Sequence, residues 1–98
     1  MERKSILIVD DEKNIRLTMS RSLEPLGMPI ETAANGAEAL EKLAGKEFGL
    51  VLLDLKMPGM EGIEVLRRIA GEWPTLPVII VTAHGSVESA RHPRVVLR

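Results

Sequence analysis

The sequence predicts an α/β domain in which a parallel β-sheet is covered by helices on both faces. Three nearly continuous apolar runs favour this class, at residues 6–9, 50–53 and 78–81. Strands without polar alternation belong to sheets that are buried on both sides, and such sheets are usually parallel. The segments between the runs show helical periodicity, so strands and helices alternate along the chain with right-handed crossovers.

The composition is that of one small domain without disulfides, since the 98 residues include no cysteine and carry a formal net charge of −1. No apolar run approaches the roughly 20 residues of a membrane span, and the first residues lack the features of a signal peptide. We therefore expect a cytoplasmic protein that makes no membrane contact. The nearly neutral charge also argues against direct nucleic-acid binding, which usually needs a basic surface.

The first helix is predicted directly after the opening strand. Asn14 or the acids before it are candidate caps for its start, and Pro25 with Gly27 helps to close its end. Its apolar stripe follows the spacing of one helix face and consists of Ile15, Met19, Leu23 and Leu26.

A weaker strand and two more helices complete the pattern. Residues 29–33 form the weaker strand, and Asn35-Gly36 then turns the chain into a second helix. The face that this helix is expected to bury consists of Ala37, Leu40 and Ala44. The third helix, near residues 62–71, offers an apolar face made of Val65, Leu66 and Ile69.

Carboxylates and one hydroxyl follow the apolar runs. Asp10 and Asp11 come directly after residues 6–9, Asp54 follows residues 50–53, and Thr82 follows residues 78–81. Ligands of open α/β sheets bind outside the carboxyl ends of the strands, so these side chains are expected to meet there. Three carboxylates would repel one another unless a cation lay among them, and Mg²⁺ suits a shallow carboxylate site that receives a phosphate oxygen. Beside a metal, one carboxylate can attack phosphorus and form an aspartyl phosphate.

With these residues in this order, the chain resembles the receiver domain of two-component response regulators over residues 4–90. The motifs that carry the resemblance are Asp10-Asp11, Asp54, the stretch 57–62 (Met-Pro-Gly-Met-Glu-Gly) and Thr82-Ala83. The residues around Asp54 and Thr82 are most similar to the nitrogen-regulation class of transcription activators. The resemblance implies a flavodoxin-like, doubly wound parallel sheet with its strands in the order 2-1-3-4.

The resemblance also implies how the site works. Asp54 would accept a phosphoryl group from a phosphohistidine on a histidine kinase or a phosphotransfer protein. Mg²⁺ would be bound directly by Asp11, by Asp54 and by the backbone carbonyl of Lys56, and through a water molecule by Asp10. A domain of this kind has no turnover reaction of its own, so we do not expect an enzyme.

Three further residues would contact the phosphate in a receiver domain. Leu55 and Ala83 would do so through their backbones, whereas Thr82 would turn its hydroxyl toward the phosphate and hydrogen-bond to it. That movement would shift the neighbouring loop and helix between two states and so control an output domain.

The last eight residues depart from the resemblance. Residues 91–98 contain Pro93 and three arginines, where a receiver domain continues with the rest of a helix, a fifth strand ending in a lysine, and a closing helix. We therefore expect a truncated receiver domain at residues 1–90 and an atypical tail at residues 91–98, with phosphorylation slowed by the missing lysine.

The expected truncation has a consequence for assembly. Without a fifth strand, the fourth strand would have an uncovered edge, which recruits another strand. Pairing of the tail within the chain would need a parallel crossover close to the minimum length. We therefore expect a homo-oligomer in which this edge or the tail is shared between chains.

Two other functions stay open on the sequence. An aspartate-nucleophile phosphatase would show a second acid two residues after its nucleophile, whereas Asp54 is followed by Leu55 and Lys56. A receiver-like module that no longer signals and only self-associates would be phosphorylated slowly or not at all.

Overall fold

The computed structural model describes residues 4–55, 62–81 and 95–96, and it confirms the α/β class. Three helices are present in these ranges, and they are α1 (Lys13–Leu23), α2 (Gly36–Gly45) and α3 (Gly62–Glu72). The strands are β1 (Ser5–Val9), β2 (Ile30–Ala33), β3 (Phe48–Leu53), β4 (Val78–Ile80) and β5 (Val95–Val96). Strands β1 to β4 are parallel and lie in the predicted order β2-β1-β3-β4.

Strand β1 shows why apolar runs without alternation predict a sheet buried on both faces. All of its residues are buried. Leu7 and Val9 belong to the core on one side of the sheet, whereas Ile6 and Ile8 belong to the core on the other side. Helices α2 and α3 pack on the first side, and α1 packs on the second. The sheet is therefore the middle of three layers.

Helix α1 is less deeply buried than its predicted stripe indicates. None of its residues is fully buried, and Met19 and Leu23 pack half-buried against the sheet. Leu26 was expected in the same stripe but is 55% exposed. The reason is that the α-helix ends at Leu23 and a 3₁₀ turn over Glu24–Leu26 follows, which changes the direction of the side chains.

Gly27 ends the helical segment that begins with α1, as the sequence predicted. Gly27 caps the 3₁₀ turn in the left-handed conformation, with φ of 76°, and its N–H donates to the carbonyl of Glu24. Glycine adopts this conformation without a Cβ penalty, so the chain leaves the helix here and enters β2.

The buried face of α2 is one residue away from the predicted face. The structure buries Gly36, Ala39 and Leu43, and it leaves Ala37 and Ala44 exposed with Leu40 half-buried. Both sets have helical spacing, and alanine is tolerated on either face. Burying the larger Leu43 side chain removes more apolar area from water than burying Ala44, so this leucine sets the rotation of the helix.

The start of α2 confirms the predicted turn at Asn35-Gly36. The side chain of Asn35 accepts a hydrogen bond from the N–H of Glu38 at 2.8 Å. The Glu38 carboxylate in turn accepts the N–H of Ala34 at 3.0 Å. Side chains thus satisfy one open donor of the helix and the N–H of the residue before its N-cap, in an arrangement close to a capping box.

An ion cluster ties β2 to the end of α2. Lys46 donates to Glu31 at 2.7 Å and lies over the ring of Phe48, and Lys42 donates to the carbonyl of Thr32 at 2.6 Å. The hydrogen bond from Lys46 and the charges of both lysines hold the pKa of Glu31 below its usual value of 4.5, against a smaller opposing effect of burial. The ion pairs of Glu31 with Lys46 and Lys42 therefore contribute to stability only when Glu31 is ionised.

The edge of β4 differs from the prediction. Within this chain, β5 pairs antiparallel with β4, with Val96 opposite Val78 and Val95 opposite Ile79. The expectation that the edge of β4 is uncovered is therefore wrong at Val78 and Ile79. An antiparallel return needs no crossover helix, so the short connection of residues 81–94 does not prevent pairing within the chain. Assembly into a homo-oligomer stays a prediction.

Among the described ranges, no helix combines the length and the apolar character that crossing a membrane requires.

Candidate functional site

Hydrogen bonds that continue the sheet beyond its strands position the candidate site. The N–H of Asp10, directly after β1, donates to the carbonyl of Ala33 at 3.1 Å. The N–H of Asp54, directly after β3, donates to the carbonyl of Val9 at 3.0 Å. Because β1 and β3 are neighbours, these bonds hold the two aspartates side by side at the carboxyl edge of the sheet.

Three predicted site residues come together at this edge. Asp10, Asp11 and Asp54 each offer one carboxylate oxygen, and these oxygens all lie within 4.8 Å of one another. Asp10 and Asp54 are only 4% and 2% exposed, whereas Asp11 is exposed. The site therefore has two buried acids in its wall and one acid at its rim, where an ion or a ligand can enter from solution.

The spacing of these oxygens fits a single Mg²⁺ ion. Octahedral coordination at 2.0–2.1 Å separates ligand oxygens by about 3 to 4.2 Å. The observed limit of 4.8 Å slightly exceeds that range, which a small side-chain movement or one bridging water accommodates. Carboxylate oxygens are also the ligands that this hard cation prefers. The residues present thus fit the metal that the acidic motif predicts.

Asp10 is held at several atoms. Its Oδ1 accepts a hydrogen bond from the N–H of Glu12 at 2.9 Å, and its backbone carbonyl accepts one from Nη1 of Arg16 at 2.7 Å. Arg16 is half-buried on α1. The sequence did not single out this arginine, and its only signal was its place six residues after Asp10 on a helix that begins beside the strand end.

The predicted cap of α1 is wrong for Asn14. Helix α1 begins at Lys13 with Glu12 as its N-cap residue, and the Glu12 side chain makes no capping hydrogen bond. The carboxylate that engages the backbone here belongs to Asp10, which accepts the N–H of Glu12. The first of the paired aspartates therefore shapes the entry to the helix as well as the wall of the site.

Gly62 packs against the backbone of the segment that carries Asp54. Its N–H donates to the carbonyl of the half-buried Leu55 at 3.1 Å. A Cβ added at Gly62 would lie 2.2 Å from the Cα of Leu55 and 2.6 Å from the carbonyl oxygen of Asp54. A residue with a side chain does not fit at this contact, so glycine allows α3 to begin directly against the backbone of Asp54 and Leu55. The sequence predicted Gly62 as a helix start but not this contact.

Leu55, a predicted phosphate contact, lies directly after Asp54 and is half-buried. Lys56, Thr82 and Ala83 lie outside the described residues.

Comparison with known proteins agrees with the fold. A family model for the response regulator receiver domain matches residues 6–94. The DNA-binding transcriptional regulator NtrC of Escherichia coli (strain K12) is 43% identical over 90 residues, which are 92% of this chain and 19% of that protein. The sporulation initiation phosphotransferase F of Bacillus subtilis (strain 168) is 41% identical over 88 residues, which are 90% of this chain and 71% of that protein.

Solved structures give the same picture. The response regulator TrrA of Thermotoga maritima, in complex with Mg(2+)-BeF, matches with a TM-score of 0.80 and 37% identity. The match covers 97% of this chain and 86% of that one. Against the NtrC relative, by contrast, the chain spans only 19% of the length.

Proposed function

Because the chain belongs to the response regulator receiver domain family of two-component systems, we propose that it is a phosphoacceptor that is phosphorylated on Asp54. The donor is a phosphohistidine on a histidine kinase or a phosphotransfer protein. The observation that carries the proposal is the meeting of Asp10, Asp11 and Asp54, whose oxygens lie within 4.8 Å of one another at the carboxyl edge of the sheet.

Asp54 is suited to act as the nucleophile. Its backbone is fixed by the hydrogen bond to Val9, and its side chain is buried at the inner wall of the site. In the transfer, a carboxylate oxygen of Asp54 forms a bond to phosphorus while the bond from phosphorus to the donor imidazole nitrogen breaks. The electron pair stays on that nitrogen. A carboxylate held in one place avoids much of the entropic cost of reaching this geometry.

The acidic cluster holds Mg²⁺ in this proposal. Asp11, Asp54 and the Lys56 carbonyl would hold the ion directly, and Asp10 would hold it through a water molecule. When bound, the ion stabilises the negative charge on the transferring phosphoryl oxygens. The N–H of Glu12 keeps one oxygen of Asp10 engaged, which orients this carboxylate for its contact with the water.

Phosphorylation then switches the domain. Thr82 hydrogen-bonds the phosphate through its hydroxyl, and Leu55 and Ala83 contact it through their backbones. A phosphoryl group adds charge and strong acceptors, which biases a neighbouring segment between two states. Since the NtrC relative is named a DNA-binding transcriptional regulator, we extend the proposal to control of an output domain that regulates transcription.

Intact-mass spectrometry after incubation with a small phosphodonor such as phosphoramidate tests this proposal. With Mg²⁺ present, the protein gains the mass of one phosphoryl group, and it gains none when the metal is chelated. Asp54→Asn abolishes the gain. Glu41→Gln, which removes an exposed carboxylate from α2, leaves it unchanged.

The same experiment separates the other functions. A folded protein that gains no phosphoryl group in Mg²⁺ would overturn the proposal and favour a module that only self-associates. Continuous release of inorganic phosphate, with no stable adduct, would instead indicate a phosphatase.

A further inference from the structure

Arg16 makes an unusual contact with the backbone beside the acidic cluster. Its side chain reaches back from α1, and Nη1 donates to the carbonyl oxygen of Asp10 at 2.7 Å. A donor that carries a full charge makes a shorter and stronger hydrogen bond than a neutral one. This carbonyl belongs to the peptide unit that joins Asp10 to Asp11, so the arginine is bonded to the link between two residues of the cluster.

The other bonds of this segment show what Arg16 adds. The N–H of Asp10 is tied to Ala33 on β2, and its Oδ1 is tied to the N–H of Glu12. These bonds fix the residue on its strand side and on its helix side. Asp11 lies between them and is exposed, and the carbonyl bond from Arg16 restrains the peptide unit that joins Asp10 to Asp11.

We propose that Arg16 is a positioning residue for the metal site, which holds the Asp10–Asp11 peptide so that both carboxylates are directed toward Asp54. The inference rests on the proposed function, because it assigns Arg16 a part in binding Mg²⁺. Partners that orient metal ligands without touching the metal typically change affinity 10- to 100-fold when they are removed.

Charge and position have opposite effects here, which makes the inference testable. A positive charge near the cluster repels a divalent cation, so an arginine that acted only through its charge would weaken Mg²⁺ binding, and its removal would tighten it. An arginine that acts by positioning does the reverse, since its removal frees the Asp11 peptide. We expect positioning to dominate because the contact is a short, direct hydrogen bond to the backbone of the ligand segment.

The experiment is a Mg²⁺ titration followed by backbone amide NMR, on the parent protein and on three variants. Arg16→Met is expected to raise the dissociation constant about tenfold, and Arg16→Lys is expected to raise it less, because it keeps a charged donor on a shorter reach. Arg21→Met is the control, since Arg21 is exposed in the last turn of the same helix, and its constant stays that of the parent.

A second readout separates positioning from loss of stability. Before any metal is added, the amide of Asp11 is expected to shift in Arg16→Met and not in Arg21→Met, while urea unfolding reports the stability of each variant. An Arg16→Met protein with an unchanged or lower dissociation constant would overturn the inference. If Arg16→Met does not fold, Arg16→Lys is tested instead, and a dissociation constant equal to or lower than that of the parent would overturn the inference.

Failure of the proposed function looks different from failure of this inference. If the parent protein shows no Mg²⁺-dependent shifts at Asp10, Asp11 or Asp54, the metal site itself is refuted and the role of Arg16 falls with it. If the parent binds and Arg16→Met binds equally well, only the role of Arg16 is refuted.

Discussion

Gly62→Ala is the substitution whose effect the structure predicts most sharply. The added Cβ would lie 2.2 Å from the Cα of Leu55, 2.7 Å from its carbonyl carbon and 2.6 Å from the carbonyl oxygen of Asp54. Carbon atoms pack at about 3.5–4.0 Å, so one backbone must move by about 1 Å or more. All three contacts are backbone atoms, and no flexible side chain can yield.

The cost follows from that displacement. Overpacking of a tight site typically lowers the free energy of unfolding by about 1–3 kcal/mol. The better helix propensity of alanine offsets at most about 1 kcal/mol of this loss. We expect a net loss of about 1–2 kcal/mol in the free energy of unfolding. For a domain of this size, each kcal/mol lowers the Tm by about 4–8 °C. The displaced segment carries Asp54, so Mg²⁺ binding and phosphorylation are expected to weaken as well.

Gly71→Ala is the matched control, because Gly71 lies in the same helix and a Cβ there meets nothing within 4 Å. It is expected to be neutral or to stabilise the protein by up to about 1 kcal/mol. Urea and thermal unfolding of both variants, with intact-mass measurement of phosphorylation, provide the assay. Equal stability of the two variants would refute the close approach of α3 to the backbone of Asp54 and Leu55.

Three other perturbations follow from the structure. Asn35→Ala removes the cap of α2 and is expected to lower stability by about 1 kcal/mol, and an unchanged Tm would contradict the capping geometry. Glu31→Gln is expected to destabilise the protein by less than about 1 kcal/mol near neutral pH. The pKa of Glu31 in the folded protein lies below 4.5. The stability difference between parent and variant is therefore fully present above pH 4.5, and it disappears as the pH falls through the pKa of the folded protein. Mg²⁺ is expected to raise the Tm through binding to the native state, and a rise that survives in Asp11→Ala would show that the ion binds elsewhere.

The sheet was predictable because three of its strands, β1, β3 and β4, are largely apolar on both faces. Runs such as residues 6–9 and 50–53 do not alternate between apolar and polar residues. That pattern fits a parallel sheet covered on both faces better than an antiparallel sheet with one face in water. The positions of Asp10 and Asp54 followed from the same reasoning, since residues directly after neighbouring parallel strands lie at one edge. The fold class therefore came from the apolar runs, and the meeting of the acids came from the strand ends, both of which the sequence marks clearly.

Two of the errors fall where the sequence is compatible with two structures. In α2, Ala37 and Ala44 have the same spacing as Gly36 and Leu43, and only the larger burial of the leucine decides between the faces. The pairing of β5 with β4 depends on a choice between parallel and antiparallel return that strand propensity does not encode.

Two contacts at the site could not be predicted from a local sequence motif. Arg16 bonds to a backbone carbonyl six residues earlier, and Gly62 packs on the backbone of Leu55. Both depend on how a helix meets a strand end in space. Such contacts become visible only when the fold has placed the two segments together.

The central claim is that Asp54 is the phosphoacceptor, and locating the phosphoryl group tests it most directly. The protein is treated with phosphoramidate and Mg²⁺ and then with borohydride, which reduces an aspartyl phosphate to homoserine, and its peptides are sequenced by mass spectrometry. We predict conversion of Asp54 and of no other aspartate. Conversion at Asp10 or Asp11, or a stable phosphoryl group on His84 or His92 with Asp54 unchanged, would contradict the assignment.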